Sequence, residues 1–159
     1  MTAKNRPAPN CSIARTLELV GDRWSFLILR EAHNGITRFA DFRDLLGIAP
    51  NILTARLTGL VEAGILERRE YRAEGARART DYHLTPAGED LKLVLGALQQ
   101  WGDVHAPRDD GPTVIRRDTA TGGRIGVAFV DEEGREVDSR DVSFEPVAGG
   151  PADRYAGWR

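Results

Sequence analysis

One cysteine, Cys11, stands in a chain of 159 residues. That excludes an internal disulfide framework and any zinc site built from several cysteines of one chain, and it suits a reducing compartment such as the cytoplasm. Long apolar runs are also missing: none approaches the roughly 18 residues that a membrane-spanning helix needs. Met1 to Asn10 carries Lys4 and Arg6 with no apolar stretch behind them, so it lacks the form of a secretory signal and reads as a disordered tail. Histidine is scarce. His33, His83 and His105 are scattered, in no nucleophile or metal pattern, and read as solvated or structural side chains. Thr121-Gly122-Gly123 lacks the strand and helix that a phosphate-cradling loop requires. No enzyme activity, metal or cofactor is expected. A positive charge excess is absent too. The net charge is −2, which speaks against nucleic-acid binding by bulk charge alone, so any such contact must come from where the charges sit.

What is present is ordinary for a soluble globular chain, with 41% hydrophobic and 29% charged residues, enough for one domain and a small appendage. Ser12 is expected to cap a first helix with Ile13, Leu17 and Val20 on one side, stopped at Gly21. Asp22 is expected to cap a second helix with Trp24, Leu27, Ile28 and Ala32 on one face. Asn34-Gly35 marks a turn. A short third helix spans about Phe39 to Leu46, with Phe39, Phe42 and Leu46 inward, and Gly47 ends it. Pro50 opens a fourth helix at a position where proline loses no hydrogen bond. Its buried stripe is Leu53, Leu57, Leu60 and Val61, and Gly64 closes it. Ile65 to Tyr71 and Asp81 to Leu84 read as strands around a charged loop. Thr85-Pro86 begins a fifth helix carrying Leu91, Val94, Leu95, Leu98 and Trp101. After a polar linker, Val114-Ile115, Arg124 to Val130 and Glu136 to Phe144 read as strands, and Val147 to Arg159 as a loose tail.

The expected fold class is therefore mainly α with a β wing, a winged helix-turn-helix over residues 11–106. A linker and a small all-β appendage follow over 107–159. The third and fourth helices make the helix-turn-helix, whose second helix enters the major groove of DNA. With one face of that helix buried, Asn51, Thr54, Ala55 and Thr58 point outward and Arg56 lies on the flank. Asn51 suits an adenine edge, Thr54 a thymine methyl, and Arg56 a guanine edge, a phosphate or a local salt bridge. The wing carries Arg68, Arg69, Arg72, Arg77 and Arg79 against Glu70 and Glu74. Its tip can follow phosphates or enter a minor groove, and strand alternation lets only one of Arg68 and Arg69 face the DNA.

The fifth helix is apolar over too wide an arc for a lone surface helix. With Ile13 and Leu17 of the first helix, its Leu91, Val94, Leu98 and Trp101 are expected to form a dimer interface, although some of them can instead cover the domain's own core. A two-fold dimer matches a palindromic operator spaced by about one DNA turn.

Taken together, Gly21-Asp22-Arg23-Trp24, Arg38-Phe39-Ala40-Asp41-Phe42, the run from Gly47 to Leu57, Leu60-Val61-Glu62-Ala63-Gly64 and Tyr82-His83-Leu84-Thr85-Pro86 resemble the HxlR family, winged-helix regulators related to MarR proteins. The resemblance runs from Cys11 to about Asp103. It implies a homodimeric, cytoplasmic bacterial regulator, expected to be a repressor, with double-stranded DNA as partner and no assignable small-molecule effector. Arg38, ahead of the third helix, joins Pro50, Asn51, Thr54, Arg56, Thr58, Arg72, Arg77 and Arg79 as the expected DNA contacts. Some family members sense oxidants through a cysteine near the start of the first helix. Cys11 matches that place, with Arg15 one turn on, and a small packing residue is the competing reading. Beyond residue 113 the chain resembles an extension that in some relatives carries paired cysteines suggestive of a zinc ribbon. Here Thr119, Thr121 and the Asp131-Glu132-Glu133-Gly134 turn stand at those places, so no thiolate site forms. Two alternatives to a DNA regulator stay open: a winged helix that binds a protein, and a ligand-gated regulator with Trp24, Phe26 and Trp101 lining an apolar pocket.

Overall fold

The computed structural model describes residues 11–71, 79–112, 114–145 and 147, side chains included except those of Tyr71 and Arg79. Helices α1 (Ser12–Val20), α2 (Arg23–His33), α3 (Phe39–Leu46) and α4 (Pro50–Glu62) lead into an antiparallel pair, β1 (Leu66–Tyr71) and β2 (Arg79–Leu84). Helix α5 (Pro86–His105) and a second pair, β3 (Phe129–Val130) and β4 (Glu136–Val137), follow. The expected disordered segment Met1–Asn10 and the tail beyond Val147 lie outside the described residues.

The core is one cluster where α2, α3, α4 and the root of the wing meet. Ile28, Leu29, Phe42, Leu53, Leu57, Leu60 and Leu66 are all fully buried in it. Each such side chain contributes about 1.5–3 kcal/mol relative to an exposed one. Asp22 caps α2 as expected, its Oδ1 accepting the Trp24 N–H at 2.8 Å. Ser12 does not cap α1. The cap position is Cys11, and the Ser12 hydroxyl, one residue inside the helix, accepts from Arg15 instead. Helix α3 ends at Gly47, whose φ of 59° is the left-handed conformation that glycine adopts without strain.

Thr85 ties three elements together. Its hydroxyl accepts the Gly88 N–H at the start of α5 and donates to the Gly64 carbonyl at 2.6 Å, while its own N–H donates to Ile65 at 3.1 Å. Gly88 sits so close to the wing root that a Cβ there would lie 2.3 Å from the Ile65 carbonyl oxygen. The wing differs from expectation in two ways. Strand β2 begins at Arg79 rather than Asp81, in register with Tyr71. A third, minimal strand joins its other edge: Tyr82 N–H donates to Thr37 at 2.8 Å, and Arg38 bridges Asp81. The segment before α3 is thereby tied to the wing.

The appendage has shorter strands than expected. Among the described residues, only two pair in each of β3 and β4, with one further bridge between Arg117 and Arg124, and Ser139–Asp141 forms a single 3-10 turn. Carboxylates close its turns. Asp118 accepts from Ala120 N–H and the Thr121 hydroxyl, both at 2.8 Å. Asp131 accepts from the N–H groups of Glu133 and Arg135 and pairs with the Arg135 guanidinium. Those hydrogen bonds hold both carboxyls below their ordinary range. The appendage lies along α5. The Gln100 amide exchanges two hydrogen bonds with the Val127 backbone, Gln99 donates to the Val114 carbonyl, and Arg116 faces Asp103 at 3.5 Å.

His33, at the end of α2, is packed against α5. Burial lowers its pKa below the ordinary 6.5; Glu89, 3.5 Å from Nδ1, opposes that shift and Lys92 adds to it. The folded state thus binds this proton less readily than the unfolded chain. Its contribution to stability is full above pH 6.5 and falls away as the pH drops from there through the folded-state value. Replacing His33 with Gln is expected to flatten the fall in urea midpoint between pH 7.5 and 5.0. An unchanged fall contradicts the assignment.

Candidate nucleic-acid interface

Helix α4 presents two sides because its apolar residues recur at three and four. Leu53, Leu57 and Leu60 are buried, while Pro50, Asn51, Thr54 and Ala55 are exposed. Proline opens the helix, and no acidic side chain occurs in the first turn, so the end that would meet an anionic groove is neutral. The side-chain amide of Asn51 makes none of the hydrogen bonds found among the described residues. Thr54 Oγ1 donates to the Pro50 carbonyl at 2.8 Å, which turns its methyl group outward from that bond.

Two expected contacts have a local partner. Thr58 is half-buried and accepts from Arg68 Nη2 at 3.1 Å, so β1 is strapped to α4. Arg56 pairs with Asp22 at 3.0 Å, on the side of α4 that faces α2. It lies about 140° around the helix from Asn51. Arg38 is exposed and occupies the cap position of α3, beside β2. Arg72 and Arg77 lie outside the described residues. Arg79 pairs in β2, not in the loop, and its side chain is likewise outside the description. Arg68 is the candidate that sequence reasoning left open. Strand alternation from the buried Leu66 puts residue 68 on the α4 side, whereas Arg69 pairs with Glu67 at 2.6 Å on the other face.

A second surface is apolar. Ile13, Leu17 and Leu19 of α1 are exposed, as are Leu93, Val94, Leu98, Trp101 and Val104 of α5. Helix α5 has three sides. Leu91 and Leu95 pack on the core, and Gly96, Gln99, Gln100 and Asp103 meet the appendage; the remaining arc is open. Leu91 is therefore at least partly a core residue. Of the aromatic side chains considered for a ligand pocket, Trp24 and Phe26 pack against the core, while Trp101 is exposed with its ring 4.9 Å from that of His105. Cys11 is exposed at the head of α1. No helix among the described residues is long and apolar enough to cross a membrane.

This arrangement has known counterparts. The family model described as HxlR-like helix-turn-helix matches residues 19–110. An uncharacterized HTH-type transcriptional regulator of Mycobacterium tuberculosis, Rv3095, is 40% identical over 139 residues, covering 87% of each chain. Among solved structures, that of PA1607, described as a candidate transcription factor, is similar with a TM-score of 0.73 and 34% identity, over 85% of this chain and 94% of that one. The redox regulator HypR in its reduced form is similar with a TM-score of 0.54 and 27% identity, over 63% of this chain and 96% of that one.

Proposed function

Because the chain belongs to the HxlR-like helix-turn-helix family and is a transcriptional regulator, we propose that it binds a palindromic operator as a homodimer and represses by occupying it. The observation that carries this reading is the outward face of α4. Pro50, Asn51, Thr54 and Ala55 form a slim, neutral, exposed surface on a helix whose opposite side is locked into the core. Such a helix enters a major groove with its N-terminal residues at base edges, while arginines on the wing reach phosphates. Arg38, Arg68 and the wing arginines 72, 77 and 79 supply that charge. The open apolar arc of α5, with Ile13 and Leu17 of α1, supports a second copy of the chain as the partner. Single modules of this kind read half-sites, and pairing aligns two of them. The protein acts in the cytoplasm, without catalysis or a cofactor.

Alanine at Asn51 is the test of the reading face. It is expected to relax discrimination at one base pair per half-site by about 1–3 kcal/mol, measured across a set of single-base operator variants. A uniform loss on every sequence contradicts base reading by Asn51.

A second reading, regulation by oxidation, is favoured by one observation: the exposed Cys11 heads α1, directly before the open apolar residues Ile13 and Leu17. The likeness to the redox regulator HypR agrees with it. Oxidation there would alter the α1 surface and, with it, the pairing of subunits. Hydrogen peroxide, which converts a single thiol to a sulfenic acid and is itself reduced to water, is expected to release the wild-type protein from its operator and to leave a Cys11→Ser variant bound; release of both proteins contradicts the reading.

A further inference from the structure

We infer that Arg56 serves operator recognition as a positioning residue, by clamping the recognition helix to the N-terminus of α2 through Asp22, and does not itself contact DNA. The inference rests on the reading of α4 as the operator-binding helix.

The two oxygens of Asp22 are divided between two tasks. Oδ1 accepts the Trp24 N–H at 2.8 Å and caps α2, and Oδ2 takes Arg56 Nη2 at 3.0 Å. The carboxylate is held on a tight corner. Gly21, just before it, is packed so closely on α1 that a Cβ would stand 2.4 Å from the Leu17 carbonyl oxygen. Asp22 is thus a fixed post between α1 and α2, and Arg56 is the arm of α4 that reaches it. Position 56 lies about 140° around the helix from Asn51, so a guanidinium on Asp22 is turned away from the groove-reading face. The Arg56 Nε is buried, which further sets the side chain against the protein.

Magnitude separates this role from a structural one. Both side chains keep a third or more of their surface exposed, 41% for Arg56 and 34% for Asp22. An ion pair at that exposure adds little to global stability. It does restrict how α4 pivots on its leucine seat. Base-edge hydrogen bonds from short side chains such as Asn51 fail on small displacements, whereas long arginines still reach phosphates. Loss of the clamp should therefore cost operator affinity and spare non-specific binding.

The experiment uses the full chain and a duplex that the wild-type protein selects from a random library, with a scrambled duplex beside it. Arg56→Gln, Asp22→Asn and the double variant are titrated at several salt concentrations and melted in parallel. Asparagine keeps the cap on α2 and removes only the charge. Each single variant is expected to lose about three- to fivefold in operator affinity, because an ion pair this exposed can hold α4 in place by no more than it adds to stability. Binding to the scrambled duplex, the salt slope and the melting temperature should stay near wild type, and the double variant should be no weaker than either single one. A salt slope reduced by about one, with equal loss on both duplexes, would make Arg56 a phosphate contact and overturn the inference. So would a loss in Arg56→Gln that Asp22→Asn does not share, or no loss in either. If the wild type selects no sequence at all, the operator-binding reading fails, and the inference with it.

Discussion

Aspartate at both Leu98 and Trp101 is expected to leave the protein folded, monomeric and about a hundredfold or more weaker for its operator. The two side chains lie on the open arc of α5, Trp101 with 64% of its surface exposed, and neither belongs to the core cluster. Their replacement leaves the core cluster intact and gives up little within the subunit beyond the contact of Trp101 with the His105 ring, so folding should hold. A dimer, by contrast, would have to desolvate four carboxylates against an apolar surface, at a cost no rim contact offsets. On the proposed dimer, a separated subunit would meet only a half-site. Linking two half-site readers raises overall affinity by about 10²–10⁴ through effective concentration alone, and that gain disappears with the dimer. Sedimentation and duplex titration on the same samples check both halves of the expectation. A variant that remains dimeric, or a monomer that binds as tightly as wild type, contradicts the interface.

The second large effect is on stability. Among the described residues Phe42 is the bulkiest fully buried side chain, and it lies on α3, where it meets the leucines of α4. Phe42→Ala should cost about 3–5 kcal/mol, the lost transfer energy plus the cavity left behind. Leu45, one turn on in the same helix, is 59% exposed, and Leu45→Ala should change little. The pair controls for helix propensity, since both replacements introduce the same residue into the same short helix. Because α3 seats α4, Phe42→Ala is also expected to weaken operator binding at temperatures where much of the chain remains folded. Urea unfolding of both variants tests this. A loss below about 1 kcal/mol for Phe42→Ala would contradict the packing of α3 described here.

Elements whose signals are local were legible in the sequence. The bounds of α3, the Asp22 cap, the proline start of α4 and the Thr85 start of α5 each depend on side chains a few residues apart. The cap of α1 was misassigned by one residue because serine is the better capping type, yet the helix already includes Ser12 and leaves Cys11 at the cap position. Features that need a distant partner were not legible. Thr37 and Arg38 carry no strand signal of their own, and only the edge of β2 makes them a third strand. In the appendage, alternation suggested long strands, but turns closed on Asp118 and Asp131 leave two-residue pairs. Among the proposed DNA contacts, the exposure of Asn51 and Thr54 followed from helical period. The partners of Arg56 and Thr58 did not, because Asp22 and Arg68 lie on other elements, which the period of α4 does not register.

The central claim is that the outward face of α4 reads a DNA sequence. The most direct measurement is titration of the purified protein into a duplex from its own promoter and into a scrambled duplex, at two salt concentrations. A clear preference for the promoter is expected, with binding to both duplexes weakening steeply as salt rises. Equal, weak binding to the two duplexes, or binding that salt does not affect, would contradict it.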